Sequence, residues 1–174
     1  RKKLGLPLNT HIIGYIGRFR VRNEEKGIPE LIGTIPYLES ASISPFIILC
    51  VGGPREAIAQ YPKNPFVQFI DQVPARDVPQ WIRACDVVTI PWPWTEFSAY
   101  YTSPLKLFEY MASGVPIVAS DLPSLREVLS DTTAVFVAPG DPRALAGGIR
   151  RVLSDSASSG IMAEQARELA QEYT

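Results

Sequence analysis

Near the start of the chain an arginine and a lysine each stand beside a glycine, in Ile16-Gly17-Arg18-Phe19 and in Lys26-Gly27. A guanidinium is a planar two-pronged donor and an ammonium a mobile point charge. Over a glycine turn the pair can neutralise a diphosphate. The same residues also fit an ordinary solvated loop, and the polar stretch Val21–Glu25 between them reads as mobile. A second candidate is the run from Tyr101 through Thr102 and Ser103 to Glu109. Ser103 suits a helix N-cap and Pro104 the first helical position, so the amides of Leu105 and Lys106 are placed to donate to phosphate oxygens. Glu109 lies two turns in, on an apolar face between Phe108 and Met111. A carboxylate there is costly without a partner. Ribose hydroxyls would serve; pairing with Lys106 or Arg126, or a turn to water, stays equally open. Third, the backbone at Gln72 and Val73, just past an apolar run, can hydrogen-bond a nucleobase or be a plain loop. The aromatic-rich segment from Pro91 to Tyr101, with Trp92 and Trp94, could form a sugar platform or pack against a further domain. Trp81 reads as a core aromatic. Cys85 reads as a small buried hydrophobe, because the lone histidine, His11, begins a different strand.

Composition narrows what these residues can be doing. At 174 residues the chain suits a single domain, and 46% hydrophobic with 20% charged residues is a globular balance. Seventeen basic against 18 acidic residues give a net charge of -1, with no electrostatic footprint for nucleic acid or an anionic membrane. One histidine and two cysteines exclude a His/Cys zinc cage and a disulfide scaffold, and two unclustered thiols suit a reducing, cytoplasmic setting. There is no Asp-x-Asp pair to hold a divalent metal, and no apolar run long enough to cross a membrane. The start lacks both Met and a signal core, and the end stops inside a helical pattern. The chain therefore reads as a piece of something longer.

Positioning these residues falls to an alternation of strands and helices. Short β-branched runs at 11–17, 46–51, 66–70, 86–90, 115–119 and 134–137 are apolar on both faces, as strands of a covered parallel sheet are. Helical patterns span 28–38, 54–60, 77–84, 103–113, 122–129 and 142–153, the last capped by Asp141. Ser154–Gly160 reads as a polar hinge before a final helix at about 160–174 that could pack separately. The alternation predicts an α/β fold: a Rossmann-like, doubly wound parallel sheet of about six strands with helices on both faces. Ligands of such sheets sit beyond the carboxyl ends of the strands, which is where the candidates fall.

Taken together, these segments resemble the carboxyl-terminal half of the family-4 (group 1) retaining glycosyltransferases, which have the GT-B fold. The likeness runs through Gly17-Arg18 and Lys26-Gly27, Val51-Gly52-Gly53-Pro54, Val78–Pro91, Ser103–Val128 and Val137–Pro142. It implies that Arg18 and Lys26 grip the diphosphate of a nucleotide-sugar donor. It also implies that Glu109 binds the donor ribose and that backbone at Gln72 and Val73 meets the base, with no divalent metal required. An amino-terminal acceptor domain would be the partner, and any membrane contact would come through that half. The position of the family's first paired glutamate is Tyr101 here. Tyr101, Thr102 and Ser103 then become candidate sugar contacts, or Glu96 reaches in from the aromatic loop. The resemblance implies a hexosyltransferase in the full-length protein. The alternatives are a non-catalytic nucleotide-sugar-binding module and a GT-B-type UDP-sugar epimerase. A nicotinamide-binding Rossmann protein fits poorly, since Gly14-x-x-Gly17 is not G-x-G-x-x-G.

Overall fold

A computed structural model describes residues 1–22, 24–41, 43, 45–102 and 105–173. Strand β1 (His11–Ile16) is followed by a small antiparallel hairpin, β2 (Arg20–Val21) with β3 (Glu24–Glu25). Then come β4 (Phe46–Val51), β5 (Val67–Ile70), β6 (Val87–Ile90), β7 (Ile117–Ser120) and β8 (Val135–Val137). The main sheet has six strands in the order β5-β4-β1-β6-β7-β8, all parallel. The chain builds outward from β1 to β5, then returns to β6 and builds the other way. The strand order therefore reverses between β1 and β6, and the carboxyl ends flanking that switch point are where sheets of this kind bind ligands.

The helices are α1 (Ile28–Ile32), α2 (Ile35–Ser40), α3 (Arg55–Ile58), α4 (Val78–Arg83), α5 (Leu105–Ser113), α6 (Pro123–Arg126), α7 (Pro142–Ser154) and α8 (Ser156–Ala170). Alternation along each strand sorts them into two layers. Ile13 and Tyr15 of β1 pack with Ile28, Leu31, Leu38, Leu145 and Ile149 from α1, α2 and α7. Ile12 and Ile16 face the other way, to Trp81, Leu107, Tyr110, Leu125 and Ala166 from α4, α5, α6 and α8. Both faces being covered, every residue of β6 and β7 is buried. Asp141 caps α7, its carboxylate accepting from the amides of Arg143 (2.8 Å) and Ala144 (3.1 Å).

Four local expectations change. The helix expected over 28–38 is two helices. Pro36 has no N–H for the Ile32 carbonyl, so the first helix does not continue, and the Thr34 hydroxyl at the break donates to the Leu31 carbonyl at 2.6 Å. The mobile loop expected at Val21–Glu25 is the β2–β3 hairpin, closed by the Arg20–Glu25 ion pair at 2.8 Å. The hinge expected at Ser154–Gly160 shrinks to Asp155, whose carboxylate accepts the Ser158 amide at 3.0 Å and starts α8 at once. Serines in that stretch act as the first turn of a helix, not as linker. Finally, β7 begins two residues later than the apolar run suggests and extends to Ser120. α8 lies on α5 through Ala163, Ala166 and Ala170, all buried. Among the described residues no helix is long and apolar enough to cross a membrane.

Candidate functional site

The site is built outward from the end of β1. Tyr15 is fully buried on the α1 side of the sheet, and its hydroxyl donates to the Arg18 carbonyl at 2.7 Å, which shapes the Gly17-Arg18 turn. The Gly17 amide donates to Val51 at 2.8 Å, so the ends of β1 and β4 stay together. Arg18 itself is exposed on this turn and forms no ion pair among the described residues.

The hairpin then returns the chain to the place it left. The Lys26 amide donates to the Phe19 carbonyl at 2.9 Å, which sets Lys26 beside the Arg18 turn. Gly27, at φ 82°, presses on the end of β6; a Cβ there would lie 1.8 Å from the Pro91 carbonyl oxygen. Only glycine lets the Lys26-Gly27 turn sit so close to the β1–β6 switch point. Lys26 is 2% exposed, and among the described residues its ammonium has no hydrogen-bond partner. The ammonium lies over two rings instead, 4.6 Å from the centre of Trp92 and 5.0 Å from that of Phe97. Burial lowers the Lys26 pKa, with a smaller opposing pull from Glu24.

The third part is α5, and one tyrosine fixes it. The Tyr110 hydroxyl accepts the Ile16 amide at 2.8 Å and donates to the Ile16 carbonyl at 3.1 Å, which clamps the helix to the last residue of β1. One turn earlier the Lys106 side chain reaches Gly17 and donates to the Tyr15 hydroxyl. Burial, and then repulsion by Lys26, push the Lys106 ammonium down to about 7. Glu109, the neighbour of Tyr110, is exposed. Neither Lys106 nor Arg126 pairs with it among the described residues, and Arg126 is engaged by Asp121 and Asp131 at 2.7 and 2.8 Å. The arrangement sets the Arg18 turn and the buried Lys26 ammonium at the carboxyl ends of β1 and β6, positive charge that suits a phosphate, with Glu109 exposed on α5 close enough to act on Lys106.

The other expected residues divide. Ser103 and Pro104 lie outside the described residues. Leu105 is 75% exposed at the start of α5 and Tyr101 is 68% exposed, at the end of a π-helical turn over Phe97–Tyr101. The Thr102 hydroxyl is turned back to the Phe97 carbonyl at 2.9 Å. Glu96 is exposed where that turn begins. Trp92 is not a surface platform: it is 2% exposed, packed beneath Lys26, whereas Trp94 and Tyr100 are open and meet edge to face at 6.2 Å. The Gln72 amide, expected to be free for a base, donates to the Asp71 carboxylate at 2.7 Å. Val73 packs partly buried against the core. Cys85 is buried with its thiol pushed up to about 12 by burial, as a packing residue should be. Sequence reasoning missed Tyr15, Tyr110 and the Lys106 side chain. The available signal was a hydroxyl inside each of two apolar runs, which must find a partner when buried. Among the described residues no cluster of three acidic, His or Cys side chains could hold a metal ion.

Comparisons with known proteins fit this geometry. Residues 10–155 match the family model described as glycosyl transferases group 1. The D-inositol 3-phosphate glycosyltransferase of Corynebacterium urealyticum is 27% identical over 186 residues, which cover 100% of this chain and 42% of that protein. Sucrose-phosphate synthase from Thermosynechococcus elongatus superposes with a TM-score of 0.78 at 29% identity, over 99% of this chain and 43% of that one. Anabaena HepE, solved in complex with UDP-glucose, superposes with a TM-score of 0.73 at 22% identity, over 99% of this chain and 46% of that one. The chain thus spans about two fifths of the length of the relatives it matches.

Proposed function

The chain belongs to the group 1 glycosyltransferases, and from that premise we propose that it is the donor-binding, carboxyl-terminal half of a GT-B enzyme. The full protein would transfer a hexose from a nucleotide-diphosphate sugar to an acceptor hydroxyl with retention. One observation carries this reading: among the described residues the buried Lys26 ammonium has no hydrogen-bond partner, and its turn lies against that of Arg18, which forms no ion pair, at the topological switch point. A buried cation without an anion is costly, and a diphosphate supplies the missing charge.

In this reading Arg18 and Lys26 hold the diphosphate, and the amides at the start of α5, at Leu105 and Lys106, add donors. Glu109 accepts ribose hydroxyls, the segment Gln72–Val73 borders the base, and Tyr101, Thr102, Ser103 or Glu96 border the sugar. Catalysis is electrostatic: positive charge stands where negative charge grows as the nucleoside diphosphate leaves. Side chains supply that charge, so no divalent metal is required. HepE, solved in complex with UDP-glucose, makes a uridine donor the first to try. The relatives' names speak for transfer, not for a non-catalytic module or an epimerase. An acceptor-binding domain would face the switch point.

The test is calorimetry of the 174-residue chain with UDP and GDP. Binding by the unaltered chain, and its loss when Arg18→Ala is combined with Lys26→Ala, supports the reading. Unchanged affinity in the double variant would refute the phosphate assignment.

A further inference from the structure

The Lys106 side chain has no task in the donor site as described so far. α5 packs on one face of the sheet and Tyr15 on the other. To reach that ring the side chain passes over the carboxyl edge of β1. It uses space left by Gly17, where an added Cβ would lie 2.6 Å from Nζ. Nζ sits 3.8 Å from the centre of the Tyr15 ring. Among the described residues no carboxylate forms an ion pair with it. The titratable and charged groups facing it are Tyr15 from β1, Lys26 from the turn before α1, and Glu109 on its own helix. Glu109 has less influence on it than Lys26 does. The two ammonium groups are thus near enough to repel each other by the turn that carries Arg18, and among the described residues neither forms an ion pair with an acid.

Resting on the donor-site reading above, we propose that the Lys106 side chain, and not only its backbone amide, contacts the donor diphosphate as a third cation. A surface lysine would be held out in water. This one is held in against a like charge by Tyr15, and the repulsion is relieved either by loss of its proton or by an arriving anion. A proton linkage follows. With its ammonium brought down to about 7, Lys106 is largely neutral in the free chain in mildly alkaline solution. A diphosphate alongside favours the charged form, so binding takes up a proton, and affinity falls as pH rises above that value.

Calorimetry with UDP and GDP at about pH 8, in two buffers of different ionisation enthalpy, counts the protons; at that pH the diphosphate is already ionised. The unaltered chain should take up a large fraction of one proton and lose affinity by up to about tenfold per pH unit. Lys106→Met should bind about tenfold or more weaker, with a smaller proton count; what remains belongs to Lys26, whose pKa is also lowered. Lys106→Arg, always charged, should keep binding while losing that proton. Equal affinity and equal proton count in Lys106→Met would overturn the proposal. So would zero uptake by the unaltered chain, which needs no variant to fold. If Arg18→Ala with Lys26→Ala abolishes binding while Lys106→Met does not alter it, only this proposal falls. If the unaltered chain binds neither nucleotide, the donor-site reading falls with it.

Discussion

In the proposed donor site Lys26 is a side chain that costs stability and would serve a ligand. It is all but removed from water, and two aromatic rings recover only part of the lost hydration. Replacing such a cation by an apolar side chain of similar length removes the cost and keeps the packing. Lys26→Met should therefore raise the stability of the ligand-free chain, on the order of 1 kcal/mol, while weakening nucleotide binding by at least about tenfold. Urea unfolding and calorimetry on the same preparation check both. A variant that is destabilised and still binds would show that Lys26 is a structural residue. Arg18 and Lys26 were legible as a pair from their glycine neighbours. That one is exposed and the other buried was not, because burial depends on Trp92 and Phe97, which arrive from a distant part of the chain.

Three elements hold the site, and each does so with a backbone contact. The β2–β3 hairpin brings Lys26 back to Phe19, the Lys26-Gly27 turn rests on Pro91, and Tyr110 of α5 grips Ile16. Gly27→Ala attacks the second of these. The new methyl group meets a carbonyl oxygen, not a yielding side chain, and φ 82° is strained for alanine. The chain should lose about 1–3 kcal/mol of stability. Nucleotide affinity should fall as well, since Lys26 is displaced with the turn. Thermal unfolding with and without UDP measures both losses, and an alanine variant of unchanged Tm would contradict the packing described for the switch point. The hairpin also shows how polar, charged residues read as loop come to pair as strands: Arg20 pairs with Glu25, and Glu25 accepts the Tyr61 hydroxyl. Charge composition alone cannot tell a solvated loop from one whose charges find each other.

At the scale of the molecule, Trp94, Tyr100, Tyr101 and Leu105 stand exposed between the end of β6 and the start of α5, where the proposed acceptor domain would face the sheet. The full-length protein should transfer a hexose from a nucleotide sugar, whereas this chain alone should bind nucleotide and transfer little. Because the proposed charge stabilisation comes from lysine and arginine, an excess of chelator should leave the full-length transfer rate within about twofold, read by release of nucleoside diphosphate; a loss of tenfold or more would place a metal in the mechanism. The sequence by itself determined the six strands, the layering of helices on both faces and the rim that carries the candidate residues, because those follow from local periodicity and from glycine and proline turns. It also carried the family resemblance, which rests on the order and spacing of short motifs. Only the tertiary structure decided that Tyr15 and Tyr110 fix the turn and α5, that Trp92 lies beneath an ammonium, and that Lys106 crosses the sheet edge to join Lys26. Each of those is a contact between residues far apart in the chain, and the energy of a buried charge is set by neighbours that local pattern does not reveal.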